Sequence, residues 1–302
     1  MNHKLIALLV VAIILSGLIY THPAYAHNFG GDEGASWLAK VAEIKTEANF
    51  ISTHVGQKDV IGYYSGALGE YWNANDTREM GERNTLLATE IPTTINATIS
   101  DAQAGNQSSV NDDITKLGGY LDESVPVRVD KDKLNNSTVQ ALSVTFVLKE
   151  SLEKYGDAIN ATVNLNDMSQ MNISAGSNMT RMSSGMSMTT PIVDQNKYEN
   201  AIGLATAAQN MFSDVATKNT DKSDANGKIS TAFMKLLQDL NNKADTQTIM
   251  NDVHVSIHPV LIDSYGLKLV SPVPEFPLPA VLIMISIAGV VAATRLKSNL
   301  GF

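Results

Sequence analysis

The chain has no cysteine among its 302 residues. That excludes disulfides, thiolate metal sites, a cysteine nucleophile and a lipid-modified cysteine, so stability has to come from packing. Positive charge is also scarce: 22 Lys and Arg face 31 Asp and Glu, a formal charge of −9. Such a surface repels nucleic acid and favours cationic partners. No Gly-rich phosphate loop, no G-x-S-x-G and no nucleophile–base pair stands out, which argues against an enzyme. Sheet-type alternation with hairpin turns is missing too, and the expected class is all-α, an antiparallel helical bundle or two helical lobes.

Long apolar runs occur only at the two ends. Leu5 to Tyr20 follow Lys4 and precede Ala24-Tyr25-Ala26, the charged start, apolar centre and A-x-A site of a secretory signal peptide over residues 1–26. Near the other end, a linker over 266–277 leads into an apolar stretch from Leu278 to Ala293. Its 16 residues would cover about 24 Å as a helix, short of the ~30 Å hydrocarbon core. Arg295 and Lys297 follow in a basic tip over 295–302, which puts that tip in the cytoplasm and everything before it outside. A transmembrane segment over 278–294 and an exported, anchored ectodomain are the expectation. The excised ends carry Lys4, Arg295 and Lys297 and no acids, so the ectodomain is more acidic than the whole chain.

Pro274-Glu275-Phe276-Pro277, the short apolar span and the basic tip together resemble the tripartite sorting signal of archaeosortase substrates of the PEF type. The resemblance implies a sorting enzyme acting at Pro274, Glu275, Phe276 and Pro277, removal of the tail and transfer of the new end to a lipid. A permanent single-pass anchor is the alternative. N-x-[ST] sequons at Asn75, Asn96, Asn106, Asn135, Asn136, Asn160, Asn172 and Asn178 agree with a glycosylated exterior.

Between the ends the pattern is helical. Trp37, Val41, Ile44, Ala48, Ile51 and Val55 alternate at spacings of four and three, one apolar stripe on a helix opened by Asp32-Glu33 and stopped by Gly56. Further stripes predict a helix from Asp59, one long helix from Asn75 through Ile95 with a kink at Pro92, and a short one around Val110 to Leu121. Val125 to Val129 reads as an extended linker, since it alternates as a strand would but offers no partner strand. Ser137 or Thr138 should cap the next helix, which completes an N-terminal helical region over 27–156. Residues 157–194, rich in Met, Asn and Ser and without periodicity, read as a flexible loop. A C-terminal helical region over 195–265 carries three more stripes, the last through Ile249, Val253, Ile257 and Leu261.

Chemistry could sit in four places. Met168, Met171, Met179, Met182, Met186 and Met188 stand among Ser, Asn, Thr and Gly rather than at helical spacing with Leu and Ile. Thioethers are soft, uncharged ligands suited to Cu(I), and the stretch resembles the copper-collecting segments of periplasmic copper proteins. A surface linker or an oxidation-absorbing surface are the alternatives. His254 and His258, at i and i+4, share a helix face and could bind a metal jointly, or form a partly buried hydrogen-bonded pair. His27 would become the new N-terminus and, with His54, resembles a histidine brace. Finally, Arg78-Glu79-Met80-Gly81-Glu82 matches the R-E-x-x-E pattern of iron permeases, but in a polar helix, where acids at the first turn are the simpler explanation.

Arg128-Val129-Asp130, the run from Asn135 to Leu142, and His254-Val255-Ser256-Ile257-His258-Pro259 resemble a group of exported archaeal proteins from ammonia oxidisers. That resemblance implies copper as the metal to expect, not a particular activity. The expected function is an anchored, non-enzymatic copper-binding protein. The alternatives are a structural or adhesive envelope protein and an iron-associated extracytoplasmic helical domain.

Overall fold

A computed structural model describes residues 28–29, 31–167 and 190–270 of the chain. The expected signal peptide, the sorting motif with its apolar span and basic tip, His27 and all six clustered methionines lie outside the described residues. The fold is all-α, as expected. The helices are α1 (Glu33–Thr53), α2 (Lys58–Tyr71), α3 (Ala74–Gly81), α4 (Thr85–Gln103), α5 (Gln107–Arg128), the single turn α6 (Lys131–Leu134) and α7 (Ser137–Ala158). After the undescribed segment come α8 (Gln195–Lys218), α9 (Ser223–Asn241), α10 (Thr246–Asn251), a π-helical stretch (Asp252–Ile257) and α11 (His258–Tyr265). The two-residue strands β1 (Asn28–Phe29) and β2 (Leu269–Val270) pair with each other. Among the described residues no helix is long and apolar enough to cross a membrane.

Side-chain caps set most helix starts. Asp32 accepts from the Ala35 N–H at 3.0 Å, Asn84 from Leu87 at 3.1 Å and Asp245 from Thr248 at 2.9 Å. Asn73 and Asp76 form a reciprocal capping box. Each such cap is worth about 1 kcal/mol. The cap of α7 is Asn136, which accepts from Thr138 and Val139, one residue before the expected Ser137 or Thr138. Asn84 likewise divides the single long helix expected from Asn75 into α3 and α4, because its side chain satisfies a fresh set of N-terminal donors. Gly56, at φ +86°, ends the first hairpin turn as glycine can, and its N–H reaches Ala102 O at 2.8 Å.

Val125 to Val129 is not a linker. The helix continues through Pro126 to Arg128, and the Val129 N–H closes the last turn on Val125 O at 2.8 Å. Pro126 removes one helical bond near the end. That loss is offset by Ser124, which accepts from Trp37 Nε1 at 3.1 Å, and by the buried Arg128. Residues 157–158 remain helical, and Leu165 and Asn166 are buried. The Val193 N–H returns to Ala158 O at 2.8 Å, so both ends of the expected loop belong to the packed fold.

The unit His27–Leu269 is one compact body with two apolar clusters. In the first, Trp37, Val41, Ile44, Ala48 and Ile51 of α1 meet residues of α2, α4 and α5. The second joins α7, α8, α9 and the π–α11 region around Phe212, Phe233, Leu236 and Leu261. α1 also supplies Ala35 and Ala39 to the second cluster. It therefore buries two faces, and each of its fully covered isoleucines contributes about 1.5–3 kcal/mol of transfer energy. The division between clusters does not fall at the methionine segment: α7 precedes that segment yet packs with the helices that follow it.

Candidate metal centre

The last apolar stripe does not form one regular α-helix. From Asp252 to Ile257 the backbone takes the wider π register, and the His258 N–H bonds to Val253 O, five residues back. Pro259 explains where the register ends. It lacks an N–H and clashes with a preceding turn inside a helix, but is tolerated in the first turn of a new one. It stands there, in the first turn of α11. Single π turns inside α-helices recur at functional sites. This one carries His254, and His258 follows it as the first residue of α11.

His254 and His258 are 2 % and 6 % exposed. Their Nδ1 atoms face one another at 3.3 Å, with the rings 67° apart. His254 Nε2 lies 2.6 Å from the backbone carbonyl of Leu165. A carbonyl can only accept, so Nε2 carries a proton, and Nδ1 is the ring nitrogen turned toward His258. A ring N–H donated to a backbone carbonyl is the arrangement that orients metal-ligating imidazoles. Two nitrogens bound to one tetrahedral ion at about 2.0–2.1 Å stand about 3.3–3.4 Å apart. The pair therefore has the bite of two ligands on one ion. The same distance also accommodates a long N–H···N hydrogen bond between two neutral rings.

Leu165 belongs to the strand of chain that leaves α7. It is 2 % exposed. Asn166 anchors this strap by donating from Nδ2 to Lys149 O at 3.2 Å, and its N–H bonds Asn164 Oδ1 at 2.9 Å. Met168 stands three positions after Leu165 in the chain and lies outside the described residues. Nothing in the residue pattern signals the contact between His254 and Leu165, since a backbone carbonyl has no residue signature. Beside the pair, Asp252 turns away to Lys235 at 2.6 Å, as its position in the helix leads one to expect.

The other candidates separate. His54 is occupied: Nδ1 meets Phe50 O at 2.9 Å and Nε2 lies 3.5 Å from Glu199. In the R-E-x-x-E stretch, Glu79 is engaged by Arg128 at 2.8 Å, and Arg78 pairs with Glu82 at 3.7 Å. Arg128, its side chain 6 % exposed, also reaches Glu33 at 3.4 Å and lies over the Trp37 ring at 4.6 Å. These charges line an open recess of about 510 Å³ and balance one another, a clamp between α1, α3 and α5. Among the described residues, no group of three or more His, Asp or Glu is arranged to hold a metal ion. A complete site at the histidines would need ligands from elsewhere in the chain. Comparison with known proteins finds no matching family model, curated protein or solved structure.

Proposed function

We propose that this chain is an exported, membrane- or lipid-anchored helical protein that captures copper through His254, His258 and the methionines from Met168 to Met188. The observation that carries the reading is the 3.3 Å Nδ1–Nδ1 approach of the two histidines, with His254 held by the carbonyl of Leu165. That carbonyl stands three residues ahead of Met168. Imidazole accepts copper in either oxidation state and thioether favours Cu(I), so a mixed set would retain the reduced ion. Lack of cysteine removes the thiolates that would otherwise favour Zn(II).

Competitive titration of the full chain in detergent tests it. Cu(I) should bind more tightly than Zn(II). Replacing Met168, Met171, Met179, Met182, Met186 and Met188 with Leu should remove most Cu(I) binding while helicity is kept. Replacing His254 and His258 with Ala should weaken Cu(II). If the methionine variant binds Cu(I) as well as the parent does, the segment is a connector and the envelope-structure reading takes over. For the anchored state, mass spectrometry of the mature protein should find no dominant species containing Arg295 or Lys297. Finding one would make the anchor a permanent span.

A further inference from the structure

A second buried polar cluster is built by other residues. On α1 the row Ala35, Ala39, Glu43, Glu47 runs at a spacing of four, so all four side chains share one face. The alanines close on the second apolar cluster, and the two carboxylates that continue the row are only 9 % and 0 % exposed. Asn200 of α8, fully buried, donates from Nδ2 to Glu47 Oε1 at 2.7 Å. On α7, Lys154 pairs with Glu150 at 3.1 Å.

The charges do not balance. Glu43 faces Lys40 and Glu47 on its own helix, and Glu150 and Lys154 on α7. Glu47 also faces Glu70 of α2, and Tyr71 of α2 faces Glu43, Glu47 and Glu150. From α8, Asp194 and Glu199 act on Tyr63 and Tyr64 and add no positive charge. Lys40 is held by Asp76 at 2.5 Å, and Lys154 is already paired with Glu150. Glu43 and Glu47 are left without a cation of their own, and buried ionised carboxylates without one are strongly disfavoured. Two acceptors are also orphaned: Glu47 Oε2 and Asn200 Oδ1 have no hydrogen-bond partner among the described residues, while the Tyr71 hydroxyl turns to Glu150. A proton on Oε2 turns one of those acceptors into a donor and offers the other a partner.

We propose that Glu43 and Glu47 form a buried proton-holding site, with the Glu47 proton shared toward Asn200, that keeps α1 packed on α7 and α8 at neutral and acid pH and loosens that packing as the protons leave. Burial, and after it the charge of Glu150, pushes the Glu43 carboxyl up to about 8. Burial pushes Glu47 up to about 7, against the pull of the Asn200 hydrogen bond and of Lys154.

Infrared difference spectra of the full chain in detergent, between pH 6 and pH 9, test the site directly. The parent should show the carbonyl band of a protonated buried carboxyl at pH 6, fading toward pH 9, and E43Q/E47Q should lack it. Hydrogen exchange supplies the second readout. With intrinsic base catalysis divided out, protection of α1 amides in the parent should fall by up to about tenfold per pH unit for each proton lost. In the double variant it should stay flat. Absence of the band in the parent at pH 6, or equal pH dependence of protection in parent and variant, overturns the proposal. The parent band decides the matter even where a variant folds poorly.

Discussion

Replacing Glu43 with Gln should make the protein more stable in alkali, the reverse of what removing a native charged group usually does. The native state binds the Glu43 proton more tightly than the unfolded chain, whose carboxyl keeps the ordinary 4.5 against about 8 in the fold. Between those values the folded protein carries a proton that the unfolded one has released. Its stability therefore falls as pH rises, by at most about 1.4 kcal/mol per unit for one proton. Integrated over the interval the loss approaches about 5 kcal/mol, complete above pH 8. That is a ceiling, since relaxation and water entry reduce such penalties, yet it is large beside the roughly 5–15 kcal/mol that holds a domain folded. Gln keeps the shape and never ionises. E43Q should match the parent within about 1 kcal/mol at pH 5 and exceed it by several kcal/mol at pH 9. Urea unfolding followed by circular dichroism at pH 5, 7 and 9 measures this. An E43Q chain that loses stability with pH as steeply as the parent, or is the weaker of the two at pH 9, refutes the reasoning.

Arg128→Ala should destabilise by about 3–5 kcal/mol, because it strips a buried guanidinium from Glu79 and from the Trp37 ring; a loss below about 1 kcal/mol in chemical denaturation would make the clamp a surface pair. Gly203→Ala places a Cβ 2.5 Å from Phe50 Cε2 and 3.1 Å from Thr46 Cγ2, while Phe50 is stacked on Tyr64 at 4.9 Å. Overpacking of about 1–3 kcal/mol should exceed the helix-propensity gain of about 1 kcal/mol. Adding Phe50→Leu should recover part of the loss, and a G203A protein more stable than the parent would mean that the ring swings aside freely.

α1 shows how far the sequence could be read. Its stripe from Trp37 to Ile51 is apolar, and it identified the face that closes the first cluster. The second face begins with Ala35 and Ala39 and continues with Glu43 and Glu47, and carboxylates at helical spacing look the same whether they meet water or the inside of a protein. The one available sign was the register: the acids extend an alanine row, and small residues at i and i+4 let another helix come close. The alternation from Val125 to Val129 misled in the opposite direction. A proline inside a helix is a poor local choice, but near the C-terminal end it forfeits a single bond, and the Trp37–Ser124 and Arg128 contacts that outweigh it join residues far apart in sequence.

The histidines make the same point about chemistry. Their i, i+4 spacing was legible and a shared face followed from it. What spacing could not supply was the ring state, because that depends on Leu165 O, 89 residues away from His254 in the chain. That one hydrogen bond commits Nε2 as a donor and leaves Nδ1 as the ring nitrogen that faces His258. It also makes the strap a point of control. Asn166 pins the strap to α7 through Lys149 O. The Leu165 carbonyl is positioned by its neighbour, and if that carbonyl drifts, the His254 tautomer is no longer fixed.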